Sequence, residues 1–174
     1  MRDHFRSADH FEFDIGMSDW FDIVLRLSVA TLIGASIGLN RELHGKPTGL
    51  RTLALVGLGA AVVVRAGLYS SGEVPDPNAE SRVIQGVITG IGFLGAGVII
   101  RGSSGTQVHG LTTAATIWVT ACLGLMSGLG AWRELTVAVS LVAFILLLGG
   151  PIEKFIHSRF TTDLSDGSDG KSDL

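Results

Sequence analysis

Long apolar runs alternate with short polar segments along this chain, and five of the runs are long enough to cross a membrane. A membrane-spanning helix needs about 17–25 mostly apolar residues, because each residue advances the helix by 1.5 Å. The five runs cover residues 21–39, 52–69, 83–100, 111–129 and 135–152. The pattern therefore predicts an all-α membrane protein, a polytopic bundle of about five transmembrane helices with glycine-rich packing.

The segments outside these runs are polar. Residues 1–20 form an acidic N-terminal tail, which lacks the basic and apolar regions of a cleavable signal peptide, so we expect it to be retained. The transmembrane domain is placed at residues 21–160, and residues 161–174 have the composition of a disordered acidic tail. Within the fifth run, Gly149-Gly150-Pro151 allows a kink or a helix end.

The third run carries five glycines, and Gly90, Gly92 and Gly95 match the G-x-G-x-x-G of nucleotide-binding loops. Such a loop requires a strand before it, an amphipathic helix after it and an acid about 20 residues further on. The corresponding window, residues 114–121, contains only Ala, Thr, Ile, Trp and Val. We therefore interpret the run as a membrane helix whose glycines allow another helix to approach closely.

Glycines also recur at a spacing of four, the GxxxG step, in three of the runs. The steps are Gly34/Gly38, Gly86/Gly90 and Gly124/Gly128. Such a step packs the helices of one bundle together or binds a helix of another membrane protein. For the third run, the sequence leaves open whether the glycine face turns inward against the fourth run or outward against another protein.

Composition supports the membrane class and argues against several others. Charged residues make up 17% of the chain, below the roughly 25% of soluble domains, and the net charge of −3 gives no reason to expect nucleic-acid binding. The single cysteine, Cys122, forms neither an intramolecular disulfide nor a metal site by itself. The loop histidines His44 and His109 show no spacing typical of a catalytic triad. We expect no cofactor, no metal site and no catalytic residue.

Charges within the runs lie near their ends. Asp22 and Arg26 are four residues apart, which predicts an ion pair, and Arg26 is most simply an anchor at the membrane interface. No Asp or Glu lies in the middle of any run, where an ion transporter places ionisable groups. Because Mg²⁺ prefers carboxylate and water oxygens, a magnesium pathway would depend on threonine hydroxyls and backbone carbonyls.

The distribution of Lys and Arg predicts an orientation. On the side that holds the first loop, the third loop and the end of the fifth run, these residues are Arg41, Lys46, Arg51, Arg101, Lys154 and Arg159. The opposite side has four, namely Arg2, Arg6, Arg82 and Arg133, with Arg26 and Arg65 near it inside the runs, so the bias is modest. Because basic residues concentrate on the cytoplasmic side, the N-terminus is predicted to be periplasmic and the C-terminus cytoplasmic.

Two segments resemble the MgtC/SapB family of bacterial membrane proteins, namely GLNRELHGKPTGLRTLALVGLGAA at 38–61 and GIGFLGAGVIIRGSSGTQVHGLTTAATIWVTACLGL at 90–125. The match covers about the first four spans. The matching positions that we take as functional candidates are Arg41, Glu42, Gly49, Arg51, Gly90, Gly92, Gly95, Gly97, Arg101, Gly110, Thr112 and Thr113. Asn40 departs from the pattern, where the family commonly has Glu, and the chain stops at a short acidic tail where many members carry an ACT-like domain.

The resemblance implies a non-enzymatic regulator of the bacterial inner membrane, linked to low-magnesium adaptation and to intracellular survival or virulence. It would act by binding partner membrane proteins such as the F-type ATP synthase, and homo-oligomers are a further expectation. The alternative is a component of a transporter or channel for magnesium or another ion.

From the residues themselves, we expect Arg41, Glu42, Arg51 and Arg101 to form a charge cluster at the cytoplasmic interface. In this cluster Glu42 would pair with an arginine and fix the first loop. Ordinary anchoring of the spans by basic residues is the simpler alternative.

Overall fold

The computed structural model describes residues 17–70, 77–101 and 108–165, with the side chains of residues 19–69, 78–99 and 109–150. The helices are α1 (Met17–Leu43), α2 (Leu50–Ser70), α3 (Pro77–Val98), α4 (Leu111–Leu129) and α5 (Trp132–Ser165). Between α3 and α4, the two-residue strands β1 (Ile100–Arg101) and β2 (Val108–His109) pair antiparallel. Within the described residues, all five helices contain a stretch long and apolar enough to cross a membrane, which confirms the predicted all-α bundle.

The fourth helix, α4, is the centre of the bundle and contacts each of the other four helices. Of its membrane window, 56% is buried, against 0% for α3 and 6% for α5. Apolar side chains pack on two sides of it, around Leu53 and Ile117 in one cluster and around Val64 and Ala121 in the other. The helices α3 and α5 therefore lie at the periphery, with most of their surface turned outward.

Glycines bring the backbones of α1, α2 and α4 into contact. A Cβ added to Gly38 on α1 would lie 2.6 Å from the Cα of Leu50, and one added to Gly57 on α2 would lie 2.6 Å from the carbonyl oxygen of Ala30. A Cβ at Gly124 on α4 would collide with the carbonyl oxygen of Gly57. Because these neighbours are backbone atoms, a side chain has no room here. The GxxxG steps of α1 and α4 therefore pack the bundle internally.

The ends of α4 coincide with the apolar run from which it was predicted. Gly110 and Gly130 flank the helix, and both adopt the left-handed conformation, with φ of 91° and 78°. The N–H of Gly130 donates to the carbonyl of Ser127, which closes the last turn. Glycine favours such a helix end because it adopts a positive φ without steric cost.

The ends of α3 differ from the predicted run, residues 83–100. The helix begins at Pro77, a residue suited to a first turn because its missing N–H needs no partner there. It ends at Val98, where the chain turns through an Ile99 N–H to Ala96 carbonyl hydrogen bond and then enters β1. A count of apolar residues therefore misplaces both ends of α3. At the C-terminal end it extends the helix too far, since Ile99 is as apolar as the helix before it.

The last helix, α5, is longer than the fifth run. It continues through Gly149-Gly150-Pro151, where the sequence allowed a helix end, and reaches Ser165. Proline removes one backbone donor, which a long helix tolerates when its neighbouring turns remain bonded. Residues 17–20 and 161–165, expected to belong to the two acidic tails, are thus helical. Residues 1–16 and 166–174 lie outside the described residues.

Candidate functional site

Arg41 lies in the last turn of α1 and is buried, with 4% of its surface exposed. The sequence placed it in a charge cluster at the interface; the structure places it against the first two turns of α4. A cation at a helix C-terminus is favoured by the partial negative charge of the last carbonyls. Burial of the guanidinium is nevertheless costly unless its N–H groups are hydrogen-bonded.

The Arg41 guanidinium donates to three oxygens, all of them uncharged. Nη2 donates to Thr113 Oγ1 at 2.6 Å, and Nη1 donates to Thr116 Oγ1 at 3.1 Å. Nε and Nη2 both donate to the carbonyl oxygen of Pro47, at 3.3 and 3.1 Å. Among the described residues, no carboxylate forms a salt bridge with it. We call Arg41, Pro47, Thr113 and Thr116 the Arg41 network; it ties the first loop and α1 to α4.

The two threonines are three residues apart on α4, so they lie on the same face of the helix. Both are buried, at 3% and 6% exposure. Thr116 donates its hydroxyl to the carbonyl of Thr112 at 2.7 Å, which leaves its oxygen to accept from Arg41. Thr113 was among the predicted candidates, and Thr112, whose side chain is exposed, contributes its carbonyl. Sequence reasoning missed Thr116, although its spacing from Thr113 was the available signal.

Glu42 binds the start of α2. Its Oε2 accepts the N–H of Leu50, the first residue of that helix, at 3.1 Å. The first N–H groups of a helix lack partners within the helix and favour a negative charge. A Cβ at Gly49 would lie 2.6 Å from this oxygen, so the missing side chain at Gly49 admits the carboxylate. The expected pairing with an arginine is therefore replaced by a helix-capping bond, and no described salt bridge includes Glu42.

The first loop, between α1 and α2, has a strained backbone between these two contacts. Thr48 has φ of 63°, a conformation in which a β-branched residue is a steric outlier. Strain of this kind costs about 1–3 kcal/mol and persists only where the surroundings impose it. On one side of Thr48, the carbonyl oxygen of Pro47 accepts hydrogen bonds from the Arg41 guanidinium. On the other side, Gly49 leaves room for the Glu42 carboxylate. The loop is therefore held in place by the adjacent Arg-Glu pair.

Arg51 and Arg101, the other two members of the predicted charge cluster, take no part in these hydrogen bonds among the described side chains. Arg51, in the first turn of α2, is exposed, and its side chain forms no hydrogen bond or ion pair within the described part of the chain. The backbone of Arg101 lies in β1, and its side chain is outside the described residues.

The glycines of α3 point mostly away from the bundle. No described atom lies within 4 Å of a Cβ added at Gly86, Gly90, Gly92 or Gly97. Gly95 alone turns inward, where its added Cβ would lie 3.7 Å from the Cβ of Ala114 on α4. One glycine of the run thus packs against α4, and the other four point away from the bundle.

Three of the outward glycines share one side of α3 with a large aromatic residue. Gly86, Gly90, Phe93 and Gly97 follow one another at spacings of four, three and four, so they line one face of the helix. The Phe93 side chain is 82% exposed. We call these four residues the open α3 face; Gly92 is exposed on another side of the helix.

Gly110 connects the end of α3 to the start of α4. Its φ of 91° favours glycine, and a Cβ there would collide with the carbonyl oxygen of Val98. This predicted candidate is therefore required by the backbone itself, since it sets the angle at which α4, with Thr113, enters the bundle.

A second polar cluster lies at the opposite end of α1. The predicted pair of Asp22 and Arg26 is confirmed, with Nε to Oδ1 at 2.8 Å, and Asp22 also lies 3.9 Å from Nη1 of Arg65. Arg26 Nη1 donates to the carbonyl of Gly128 at 3.2 Å, and its guanidinium stands 5.9 Å from the centre of the Trp132 ring. Arg26 is therefore bonded to the last turn of α4, beyond the anchoring role predicted for it.

Neither polar cluster has the composition of a metal site. Within the described ranges, no group of three or more His, Cys, Asp or Glu side chains is close enough to hold a metal ion. The arginines of the two clusters are bonded to threonine hydroxyls, to backbone carbonyls and, for Arg26, to Asp22. Their chemistry is that of helix-to-helix attachment.

Comparison with known proteins gives consistent matches. The MgtC family model matches residues 27–155. Protein SrpB of Synechococcus elongatus is 46% identical over 123 residues, 66% of this chain and 68% of that protein. Protein MgtC of Salmonella typhimurium is 43% identical over 73% of this chain and 53% of that protein, and protein SapB of Bacillus subtilis is 40% identical over 72% and 54%. The chain thus spans about half the length of the MgtC and SapB proteins. No solved structure matches it significantly.

Proposed function

Because the chain belongs to the MgtC family, we propose that this multi-pass membrane protein is a non-enzymatic regulator that binds partner membrane proteins through the open α3 face. The observation that carries the proposal is the difference between glycines. Those of α1, α2 and α4 named above meet backbone or side chains of the bundle, whereas Gly86, Gly90 and Gly97 have no described neighbour within 4 Å.

Glycines on an outward face have a physical use in a membrane. Helices in lipid associate through close packing and interhelical hydrogen bonds, since lipid supplies little hydrophobic drive between them. The missing side chains of Gly86 and Gly90 leave a groove into which a partner helix fits, and Phe93 offers a large side chain beside it. The open α3 face thus presents both a recess and a projection to a partner.

The outward side of α5 between residues 137 and 148 differs in composition from the open α3 face. It exposes large apolar side chains, including Phe144 at 59% and Ile145 at 64%. Large side chains fill the space against acyl chains, and a lipid-facing helix gains nothing from glycine, which lowers helix stability by roughly 0.5–1 kcal/mol relative to alanine. The three glycines aligned on one face of α3, where α2 has the single open Gly59, therefore support a protein partner.

The cellular setting is proposed from the family resemblance. We place the chain in the bacterial inner membrane, with the N-terminus periplasmic and the C-terminus cytoplasmic, and connect it with low-magnesium adaptation and intracellular survival or virulence. The F-type ATP synthase is the first partner to test, and a second copy of the chain is the next.

The proposal is tested by affinity capture from detergent-solubilised membranes. Gly90→Leu fills the recess of the open α3 face and should lower the amount of co-captured partner at least tenfold, which corresponds to about 1.4 kcal/mol. Gly59→Leu is the matched control, because Gly59 on α2 is also exposed and has no described neighbour within 4 Å. This control should capture as much partner as the wild-type chain.

Two results would reject the proposal. One is equal capture by the wild-type chain, Gly90→Leu and Gly59→Leu. The other is protein-dependent Mg²⁺ entry into liposomes that contain a magnesium-sensitive dye, which would favour the transporter alternative. Capture of ATP synthase subunits without Mg²⁺ entry is the expected combination.

A further inference from the structure

A groove of about 320 Å³ lies between α1 and α5. Residues 32–40 of α1 and 139–147 of α5 line it, at the i, i+3 and i+4 spacing of two helix faces turned toward each other. The lining is apolar apart from Ser36 and Asn40. On its rim, Leu32 and Leu147 are 64% and 63% exposed. The two faces thus oppose each other across a space that opens toward the bilayer.

Neither water nor an empty space suits this groove. Water in a cavity needs two to four polar partners, and away from Asn40 the lining offers only the Ser36 hydroxyl, which already donates to the carbonyl of Leu32 at 2.7 Å. An unfilled groove would leave the lining atoms without the dispersion contacts that packing supplies. The groove therefore requires an apolar occupant.

We propose that one acyl chain of an anionic phospholipid binds in this groove, with the lipid headgroup at Asn40. From residue 32 to residue 40 the groove follows about 12 Å of α1, at 1.5 Å per residue. At roughly 30 Å³ for each methylene-sized group, the groove of about 320 Å³ holds about ten such groups, which suits part of a single acyl chain. A second helix would instead pack across the open side of the groove, and the disulfide experiment below distinguishes the two occupants.

The polar end of the groove suits a headgroup. Asn40 is partly exposed, and its side-chain amide forms no hydrogen bond within the part of the chain that is described. One turn further, His44 places Nδ1 2.7 Å from the Asn40 carbonyl oxygen. Lys46 and Arg51, at the same end of the bundle, are exposed, and basic residues near the membrane surface attract anionic lipids. These charges favour an anionic headgroup over a zwitterionic one.

The test uses the full chain in vesicles of phosphatidylethanolamine and phosphatidylglycerol. A trace of phosphatidylglycerol carries a photoactivatable diazirine in its acyl chain, and mass spectrometry locates the labelled residues. Labelling of the groove residues Ile37 and Leu146 should exceed that of Phe144, which is 59% exposed on the outer side of α5, by several-fold. Equal labelling of the three residues would show only the ordinary lipid shell and would overturn the proposal.

Variants sharpen the test. Ala143→Phe fills the groove and should lower its labelling several-fold, whereas Val137→Phe adds bulk at an outer position of α5, 61% exposed, and should leave it unchanged. Asn40→Glu should reduce labelling by the phosphatidylglycerol probe more than by a phosphatidylethanolamine probe, because the added charge repels an anionic headgroup. Unchanged labelling in Ala143→Phe would overturn the proposal, and if that variant does not fold, the wild-type pattern alone decides.

A protein occupant gives a different result. A disulfide between two chains that each carry Ser36→Cys would place a second copy in the groove and overturn the proposal. Because α3 does not line the groove, this inference and the proposed partner binding stand or fall separately.

Discussion

The same substitution, glycine to alanine, should have opposite effects on α4 and α3. On α4, a Cβ at Gly124 would collide with the carbonyl oxygen of Gly57 and lie 3.0 Å from the Cβ of Ala60. On α3, no described atom lies within 4 Å of a Cβ at Gly90. We therefore compare Gly124→Ala with Gly90→Ala in the otherwise unchanged chain.

The magnitude follows from two terms. Alanine is favoured over glycine within a helix by roughly 0.5–1 kcal/mol, and this gain applies to both positions. Adding a carbon where packing is already close costs about 1–3 kcal/mol. Only Gly124 incurs this cost, and its neighbour is a backbone atom that cannot rotate away. The free energy of unfolding should thus fall by about 1–2 kcal/mol for Gly124→Ala and rise by about 0.5–1 kcal/mol for Gly90→Ala.

The measurement is unfolding in mixed micelles by increasing sodium dodecyl sulfate, followed by circular dichroism. Gly59→Ala on α2 serves as a second open position and should shift the midpoint in the same direction as Gly90→Ala. If Gly124→Ala proves at least as stable as Gly90→Ala, the close backbone contact between α2 and α4 is wrong, and with it the separation of structural from outward-facing glycines.

Three further substitutions test the polar contacts and the connection into α4. Arg41→Lys should lower the free energy of unfolding by about 2 kcal/mol or more, because an ammonium cannot reach the three oxygens that the guanidinium spans. In the same micelle titration, Thr113→Val should lower the free energy of unfolding less in the Arg41→Lys variant than in the wild-type chain. Glu42→Ala should lower the free energy of unfolding by about 0.5–2 kcal/mol, because its carboxylate accepts the N–H of Leu50 at the start of α2. Arg51→Ala should change it by less than about 0.5 kcal/mol, because the Arg51 side chain is exposed, and equal midpoints in the two variants would reject the capping role of Glu42. Gly110→Ala should destabilise the bundle by about 1–3 kcal/mol, since its φ is positive and its Cβ has no space; an unchanged midpoint would contradict the described connection.

The sequence predicted the helices well because membrane spans are encoded locally. An apolar run long enough to cross the bilayer must form a helix there, since lipid offers no partner to the backbone. The pair of Asp22 and Arg26 was predictable for the same reason, as both lie on one turn of α1. The partners of Arg41 were not, because Thr113 and Thr116 lie more than 70 residues further along the chain.

The glycine steps show where local pattern stops being informative. Gly34/Gly38, Gly86/Gly90 and Gly124/Gly128 are equivalent as spacings, yet two of them meet the bundle and one faces outward. The difference arises from the position of each helix around α4. That helix contacts all the others, whereas α3 lies at the periphery and turns most of its surface outward. Helix order in a bundle depends on all five spans together, and no single run encodes it.

The two arginines of α1 have a consequence for how the protein is made. Arg26 and Arg41 bond to opposite ends of α4, whose residues follow them by 102 and 75 positions in the chain. While the chain is being synthesised, α1 enters the membrane long before these acceptors exist. During that interval Arg26 has only Asp22 beside it in its own helix, and Arg41 has only the carbonyl of Pro47. Insertion of α4 therefore completes the bonding of α1, and a chain that stalls before residue 111 leaves both cations without their acceptors on α4.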